Sequence, residues 1–349
     1  MADRRNHLIA LDKRYVWHPY TPMQDYLRGG DPLVIERAEG SRLFDADGKS
    51  YVDGNASWWT ALLGHNHPRL VRALREQAER LCHTSLAGVT HEPAARLAEA
   101  IAERCPAGLH HVFFTDNGST AVESAVKLCA QHWQQNGRPR RTRFLSLEGA
   151  FHGETLGATA LGGVEAFRRP FAALTMPVTH LPSPAQDLDR ALTALSTVLA
   201  EGADEIAALV VEPLVQGAGG MRIYDAEYLR GARALTAQHD VLLVADEVFT
   251  GYGRTGTFWA CERAGITPDV LCSAKGLSGG LLPFAVTVTT DRIFEGFLGG
   301  PERAFYYGHT FCGNPLGAAV SREVLAVYDD ERVLDGLPER AERIRRTFE

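Results

Sequence analysis

The sequence VADEVFTGYGRTG (244–256) contains the end of an apolar run that closes with Asp246, and LCSAKGLSGG (271–280) closes another such run with Lys275. Apolar runs without alternating polar positions are typical of strands that are buried on both faces of a parallel sheet. Ligands of open α/β sheets bind at the carboxyl ends of the strands. Asp246 and Lys275 are therefore candidates for a single binding site.

Other parts of the chain repeat the pattern of a short apolar run followed by a longer helical segment. Strands are predicted at residues 111–115, 143–147, 207–211, 241–245 and 270–273, with helices such as 120–135 and 226–239 between several of them. This alternation predicts an α/β fold with a mainly parallel sheet. Residues 30–55 differ, because short alternating stretches broken by Asp-Gly turns predict a small antiparallel hairpin unit.

Composition narrows the class of protein. The chain has 349 residues, of which 45% are apolar, so it can fill a sizeable core. Its net charge of −7 is spread without a basic block, which argues against a nucleic-acid surface. Six scattered cysteines form no Cys-x-x-Cys pair, and no run is apolar and long enough to span a membrane. We expect a soluble, reduced, cytoplasmic protein.

The run VLLVADE (241–247) also resembles the second nucleotide-binding motif of phosphate-loop ATPases. That interpretation requires a Gly-x-x-x-x-Gly-Lys-Ser/Thr loop, whose amides and lysine hold the phosphates. The only Gly-Lys-Ser of the chain begins at Gly48. The position five residues before Gly48 is Leu43 rather than the glycine that the loop requires. The motif also falls in the hairpin unit, so the ATPase interpretation is rejected.

Two further motifs could be given functional or purely structural roles. The histidines of GHNHP (64–68) and the pair His110–His111 lack a companion cysteine or carboxylate at ligand spacing, so turn or capping roles are expected rather than metal binding. Trp58 and Trp59 are adjacent, and on an extended segment their side chains would point in opposite directions. We therefore expect one of the two to line something other than the core.

Residues 115–127, TDNGSTAVESAVK, place a turn and a helix start directly after a predicted strand. Gly118 permits a tight turn, Ser119 and Thr120 open the helix, and Glu123 is expected in its first turn. Unpaired amides, the helix dipole and two hydroxyl groups suit a phosphate, although an ordinary N-cap has the same pattern. Together with the carboxylate and the amine on neighbouring strand ends, the anion site is favoured.

Pyridoxal phosphate requires this combination of groups. It has a phosphate, a ring nitrogen that a carboxylate keeps protonated, and an aldehyde that condenses with a lysine. Asp246 is predicted to pair with the ring nitrogen. Lys275 is predicted to form the Schiff base and to move a proton during the reaction.

Several motifs strengthen that interpretation, because the sequence resembles the class III, fold-type I aminotransferases over nearly its whole length. The motifs are ADEVFTGYGRTG (245–256), EPLVQGAGG (212–220) and GHTFCGNP (308–315). Within the family, WHPYTPM (17–23), SWW (57–59) with GHNHP, and GVTHEPA (88–94) are similar to enzymes of biotin biosynthesis. The resemblance implies transfer of an amino group from S-adenosylmethionine to 8-amino-7-oxononanoate through a ping-pong mechanism.

The resemblance also implies roles for individual positions and an active site shared by a homodimer. The implied cofactor-binding residues are Gly118, Ser119, Asp246, Lys275, His309 and Thr310, the last two reaching the phosphate from the second subunit. The implied substrate-binding residues are Tyr20, Trp58, Phe151, Lys275 and Gly308, and no metal is implied. Phe151 stands where the family typically has tyrosine, so its ring can still stack but its hydroxyl is missing.

The implied domains are an N-terminal segment with part of a small domain (1–60), a large cofactor-binding domain (61–325) and the start of a C-terminal small domain (326–349). The final sequence, LPERAERIRRTFE (337–349), is an amphipathic helix that stops without a cap. The expectation is a shortened chain without the C-terminal arginine that binds the substrate carboxylate in the family. Two alternatives therefore remain: another class III ω-aminotransferase or lysine-dependent relative, and an inactive fragment.

Overall fold

A seven-stranded sheet lies at the centre of the protein, whose computed structural model describes residues 2–349. The strands are β1 (Ile35–Glu39), β2 (Arg42–Asp45), β3 (Ser50–Val52), β4 (Leu109–Thr115), β5 (Arg143–Leu147), β6 (Val178–Leu181), β7 (Ile206–Val211), β8 (Val215–Gln216), β9 (Arg222–Ile223), β10 (Leu242–Asp246), β11 (Val270–Ser273) and β12 (Ala285–Thr290). The central sheet has the order β4-β12-β11-β10-β7-β5-β6.

Helices cover both faces of this sheet and connect its strands. They are α1 (Ala2–Tyr15), α2 (Met23–Arg28), α3 (Ala56–Trp59), α4 (Pro68–Arg80), α5 (Glu92–Arg104), α6 (Gly118–Gln135), α7 (Leu156–Leu161), α8 (Glu165–Arg168), α9 (Leu188–Gly202), α10 (Ala226–Gln238), α11 (Asp291–Glu295), α12 (Pro315–Asp330) and α13 (Leu337–Phe348). Among these described helices, none is both long and apolar enough to cross a membrane.

The predicted mainly parallel α/β sheet is confirmed, and all five predicted strands are present. Strands β7, β10 and β11 run parallel to one another, as do β5 and its two neighbours. Two strands of the sheet were not predicted: β6, which runs parallel to β5, and β12, which runs antiparallel to both β11 and β4. The sequence of β12, AVTVTT, mixes threonine with apolar residues and so lacks the uniform apolar run seen in β7.

Strand β7 and the part of β10 before Asp246 have no polar positions because consecutive side chains of a central strand enter two different cores. On β10, Val244 packs with α6 residues such as Val122 on one face. Leu243 packs with α10 residues such as Leu229 on the other face. Each fully buried aliphatic side chain contributes about 1.5–3 kcal/mol through removal of apolar surface from water. This burial on both faces fixes the strand ends at which the candidate site lies.

The N-terminal part of the chain forms a separate small sheet. Strands β1, β2 and β3 pair in antiparallel order, which confirms the predicted hairpin unit. Gly48 has a φ of 81° in the turn between β2 and β3, so the Gly-Lys-Ser sequence lies in a hairpin and not in a phosphate loop. At the other end, the predicted amphipathic helix is present as α13.

Candidate active site

A cavity of about 520 Å³ lies at the carboxyl ends of β10 and β11 and at the start of α6. Seven of the predicted site residues line it, although they come from distant parts of the sequence. They are Tyr20, Trp58, Gly118, Ser119, Phe151, Asp246 and Lys275. The fold therefore brings together the predicted carboxylate, amine, helix start and aromatic side chains.

Asp246 ends β10 and is held by two hydrogen bonds. Its Oδ2 accepts from Nδ1 of His152 at 2.8 Å, and its Oδ1 accepts from the backbone N–H of Val248 at 3.1 Å. The side chains of Asp246 and His152 are only 4% and 0% exposed. Because a carboxylate only accepts, Nδ1 of His152 carries the proton of this bond. The pair fixes a buried carboxylate whose remaining lone pairs are available at the cavity.

Lys275 follows β11 in a short turn and extends into the same cavity. Its Nζ lies 4.5 Å from the ring centre of Trp59 and 5.6 Å from that of Phe249. Burial lowers the pKa of Lys275 to about 8, although the carboxylates of Asp246 and Glu212 oppose the shift. A lysine with a lowered pKa has a substantial neutral fraction near physiological pH and can act as a nucleophile or base.

The start of α6 forms another side of the cavity. Asn117 caps this helix, with its Oδ1 accepting from the backbone N–H of Thr120 at 3.0 Å. The amides of Gly118 and Ser119 lie in the first turn, where the helix itself provides no acceptors. A Cβ at Gly118 would lie only 2.7 Å from Cγ1 of Val248, so this position requires glycine. The backbone is therefore open for an anion at this point.

Two details of the predicted anion site were wrong. The hydroxyl of Thr120 completes the helix cap by accepting from the backbone N–H of Asn117, and Thr120 does not line the cavity. Glu123 lies beyond the first turn of α6, where it accepts from the hydroxyl of Thr155 at 2.6 Å. The groups left for the predicted anion site are therefore the backbone amides and the Ser119 hydroxyl, without the hydroxyl of Thr120.

A set of aromatic side chains, the aromatic wall, surrounds the outer part of the cavity. It consists of Tyr20, Trp58, Trp59, Phe151 and Phe167, and together with Ala218 and Lys275 these residues line an apolar pocket of about 260 Å³. The ring of Phe167 lies 5.8 Å from that of Tyr20 and 5.9 Å from that of Phe151. Phe167 was not identified from sequence, because only these tertiary contacts distinguish it from other aromatic residues.

The expectation that one of the two tryptophans lines something other than the core is confirmed, but its geometric reason was wrong, because Trp58 and Trp59 do not lie on an extended segment. Residues 56–59 form a left-handed turn in which Trp58 has a φ of 61° and Trp59 a φ of 67°. Alternation to opposite sides holds for strands, whereas neighbouring residues in a tight turn can share one side. Both tryptophans consequently line the cavity.

Four residues that line this cavity have left-handed backbone conformations. Besides the two tryptophans, Tyr20 has a φ of 53° and Lys275 a φ of 45°. Left-handed conformations are unfavourable for residues with a Cβ and persist where surrounding packing imposes them, often at functional sites. The strained positions carry side chains that line the cavity.

Other predicted residues lie outside the cavity lining. Gly308 and Thr310 are exposed, and Nε2 of His309 lies 3.7 Å from Oδ1 of Asp116. The expected contacts of His309 and Thr310 with a partner's cofactor phosphate, and of Gly308 with substrate, stay predictions. The histidine motifs have structural contacts, since His65 bonds to Asp53 and His111 bonds to Asp291, each at 2.8 Å.

Glu212 is a buried carboxylate at the cavity that was quoted in a motif but given no role. Its Oε1 accepts from the backbone N–H of Phe151 and its Oε2 from that of Gly217, both at 2.9 Å. Burial raises the pKa of Glu212 to about 7, and the nearby charge of Asp246 adds to the shift. Two carboxylates and one amine therefore share a largely apolar cavity, an arrangement suited to proton transfer and covalent chemistry.

Comparison with known proteins gives a consistent result. The profile of the family described as aminotransferase class-III matches residues 26–349. The adenosylmethionine-8-amino-7-oxononanoate aminotransferase of Geobacter sulfurreducens is 43% identical in an alignment 341 positions long, which covers 94% of this chain and 75% of that protein.

Solved structures are similar along nearly the whole chain. A crystal structure of adenosylmethionine-8-amino-7-oxononanoate aminotransferase from Methanocaldococcus jannaschii matches with a TM-score of 0.93 and 35% identity, covering 96% of this chain and 77% of that one. An amine transaminase from an uncultivated Pseudomonas species, solved in its PLP-bound form, matches with a TM-score of 0.84 and 33% identity, covering 91% and 75% of the two chains. The chain spans about three quarters of the length of these relatives.

The cavity fits the cofactor that the sequence predicted. Its volume of about 520 Å³ falls within the range of small-molecule sites. The three chemical groups of pyridoxal phosphate have matching partners in it: unpaired helix amides at Gly118 and Ser119, the buried carboxylate of Asp246, and the amine of Lys275. Among the residues that the structure describes, Lys275 has no salt-bridge partner, and Asp246 is bonded only to the His152 ring and to a backbone N–H.

Proposed function

The chain belongs to the class III aminotransferase family, whose members use pyridoxal phosphate, and we propose which amino group it transfers. The proposed reaction moves the amino group of S-adenosylmethionine to 8-amino-7-oxononanoate and gives 7,8-diaminononanoate, a step of biotin biosynthesis. The names of the similar relatives support these substrates. The observation that carries the catalytic part of the proposal is the position of Lys275, Asp246 and the start of α6 around one cavity.

Pyridoxal phosphate, when bound, supplies an aldehyde that accepts the amino group and a ring that withdraws electrons from the reacting carbon. We propose that Nζ of Lys275 binds the cofactor covalently between turnovers. The freed amine of Lys275 would move the proton at the reacting carbon of the substrate, removing it in the half-reaction with the amino donor and delivering it in the half-reaction with the acceptor. Its lowered pKa of about 8 supports this role, because a general base works best near the operating pH.

Asp246 is proposed to hold the proton on the cofactor's ring nitrogen. Its carboxylate is kept in place by His152 and by the backbone N–H of Val248, so it needs no rearrangement when the cofactor binds. A buried negative charge at this position favours a protonated ring nitrogen. A preorganised charge of this kind stabilises developing charge without a reorganisation cost.

The amides of Gly118 and Ser119 are proposed to bind the cofactor phosphate at the positive end of the α6 dipole. His309 and Thr310 are proposed to reach the same phosphate from a second copy of the chain in a homodimer, with Gly308 near its substrate. The exposure of Thr310 in the single chain is compatible with this arrangement. A cytoplasmic location is part of the same proposal.

The aromatic wall is proposed to bind both substrates in turn. Tyr20 and Trp58 are each more than half exposed, and both face the apolar pocket that leads to Lys275. Adenine can stack on an aromatic ring, and the aliphatic chain of the oxononanoate substrate gains from apolar cover. A wall without fixed charges can therefore accept two chemically different molecules.

A donor assay tests this proposal directly. The protein reconstituted with pyridoxal phosphate is mixed with S-adenosylmethionine, lysine or a simple primary amine, and loss of the cofactor's visible absorbance band is followed. We expect rapid loss with S-adenosylmethionine, and mass spectrometry should detect 7,8-diaminononanoate after 8-amino-7-oxononanoate is added. Conversion by another donor but not by S-adenosylmethionine would show a different ω-aminotransferase. Lys275→Ala serves as the inactive control.

A further inference from the structure

Glu212 connects two segments that form neighbouring sides of the cavity. One segment is residues 148–153, which carry Phe151, and the other is residues 212–220, which carry Ala218. One carboxylate oxygen accepts from the backbone N–H of Phe151, and the other accepts from that of Gly217. Glu212 itself is 3% exposed, so these bonds are shielded from competing water.

Two further contacts hold the same segments together farther from the cavity. Nε2 of Gln216 donates to the carbonyl oxygen of Glu148 at 3.0 Å. A Cβ on Gly219 would overlap the carbonyl oxygen of Gly149, so the two backbones lie against each other there. Of these contacts between the two segments, the hydrogen bond between Glu212 and Phe151 lies nearest to the aromatic wall. It is also the contact that uses an acidic side chain.

Each segment contains one residue that lines the apolar pocket. Phe151 and Ala218 line it together with Tyr20 and Trp58. Glu212 accepts from the N–H of Phe151 directly, and it accepts from the N–H of Gly217, the residue before Ala218. A shift of either backbone would therefore change the distance between the Phe151 ring and the opposite side of the pocket.

We propose that Glu212 is a positioning residue whose carboxylate fixes the Phe151 ring and Ala218 and thereby sets the width of the substrate pocket. This inference rests on the proposed transamination at this cavity, but it does not depend on which amino donor is used. Glutamine has nearly the same shape, yet its amide offers one accepting oxygen where the structure requires two. Glu212→Gln therefore breaks one tie and leaves the volume of the side chain unchanged.

The charge of Glu212 provides a second, independent measurement, namely the pKa of Lys275. Its negative charge opposes the lowering of the Lys275 pKa, so its removal should make Lys275 less basic. This can be followed without cofactor, by measuring how the rate of Lys275 modification with an amine-reactive reagent depends on pH. The midpoint should move to lower pH in Glu212→Gln.

The experiment compares wild type, Glu212→Gln, Phe151→Leu and the double variant, with Glu262→Gln as a matched control. Glu262 also accepts a backbone N–H, that of Trp259 at 3.3 Å, but it does not line the cavity. The amino donor is whichever of the tested donors the wild type converts best, so failure of the S-adenosylmethionine proposal leaves this test intact.

We expect Glu212→Gln to raise the donor KM about tenfold, with a smaller change in kcat, because small misplacements of binding groups are costly. In the double variant, Glu212→Gln should raise KM less than twofold over Phe151→Leu alone, since coupled residues act non-additively. Glu262→Gln should leave both KM and the Lys275 labelling curve unchanged. The positioning role would be overturned if the KM effects of the two substitutions multiplied in the double variant. It would also be overturned if Glu212→Gln lowered thermal stability but left KM unchanged.

Discussion

The two ends of the cavity are built in different ways. At the inner end, the side chains of Asp246 and His152 are at most 4% exposed, and both are held by hydrogen bonds near the sheet. At the outer end, Tyr20 and Trp58 are 56% and 55% exposed and come from a connecting segment and a strained turn. The sheet thus fixes the groups with chemical roles, whereas connections carry the groups proposed to recognise substrates.

This difference predicts that substitutions at the two ends of the cavity impair different steps of the reaction. Changes at the inner end should reduce the rate of amino transfer with little effect on substrate affinity. Changes at the outer end should weaken substrate binding and leave the cofactor chemistry intact. The following variants test that division, beginning with the largest expected effect.

Lys275→Ala should abolish amino transfer, because the residue proposed to bind the cofactor and move the proton is removed. We expect a loss of roughly 10⁴-fold or more, since positioned acid–base groups alone contribute up to about that factor. Borohydride reduction of the wild type followed by peptide mapping should place the cofactor on Lys275. Labelling of another lysine would contradict the assignment, and the exposed Lys127→Ala should remain active.

Asp246→Asn should retain cofactor but slow both half-reactions by roughly 10²- to 10³-fold. Removing one partner of a buried charged pair costs about 3–5 kcal/mol, and each 1.4 kcal/mol is a factor of ten. Single-turnover rates with the amino donor provide the measurement. Asp269→Asn is the control, because Asp269 is also buried and paired, with Arg233, but lies away from the cavity. Near-wild-type rates in Asp246→Asn would place Asp246 away from the ring.

Lys275 should also destabilise the cofactor-free protein in a pH-dependent way. Its pKa is about 8 in the folded state and near 10.5 when unfolded, so the unfolded state binds more protons between these values and stability rises with pH. Below pH 8 the penalty is complete, at about 3 kcal/mol from the difference in pKa.

Lys275→Met should therefore raise the free energy of unfolding by about 2–3 kcal/mol at pH 7, with the gain fading towards pH 10.5. Urea unfolding of wild type and variant at several pH values measures this difference. Lys127→Met, at an exposed position, should show no comparable trend. A gain independent of pH would mean that better packing, and not the buried charge, is responsible.

Trp58→Ala tests the outer end and should have the smallest effect on chemistry. Loss of one aromatic stacking contact costs about 1–3 kcal/mol, which corresponds to a KM roughly ten- to a hundredfold higher. The visible spectrum of the bound cofactor should stay the same. Trp17→Ala is the matched control, because Trp17 is 86% exposed and outside the cavity. A large loss of kcat with unchanged KM in Trp58→Ala would break the division between the two ends.

Local sequence patterns were sufficient for the inner end as far as Asp246 and Lys275 are concerned. Each follows a mainly apolar run. Because both faces of such a strand are buried, the run can be recognised in the sequence without knowing which elements pack against it. The start of α6 was also predicted, but the Thr120 hydroxyl that was expected at the anion site instead forms the helix cap together with Asn117. Strand β12 was not predicted because its threonines interrupt the apolar pattern.

Other features depend on contacts between distant segments, and no local pattern contains them. His152 lies 94 residues from Asp246 in sequence, and Glu212 lies 61 residues from the backbone it holds at Phe151. The left-handed turn at Trp58 and Trp59 was missed because packing imposes a backbone conformation that these residues disfavour by themselves.

The sequence by itself determined the fold class, the family and the two charged strand ends, because these follow from periodicity and motif residues. Only the tertiary structure decided which side chains hold Asp246, how Glu212 joins two sides of the cavity, and which aromatic rings face Lys275. The physical reason is that hydrogen bonds and ring contacts form between groups close in space, and chain order places few limits on which groups those are.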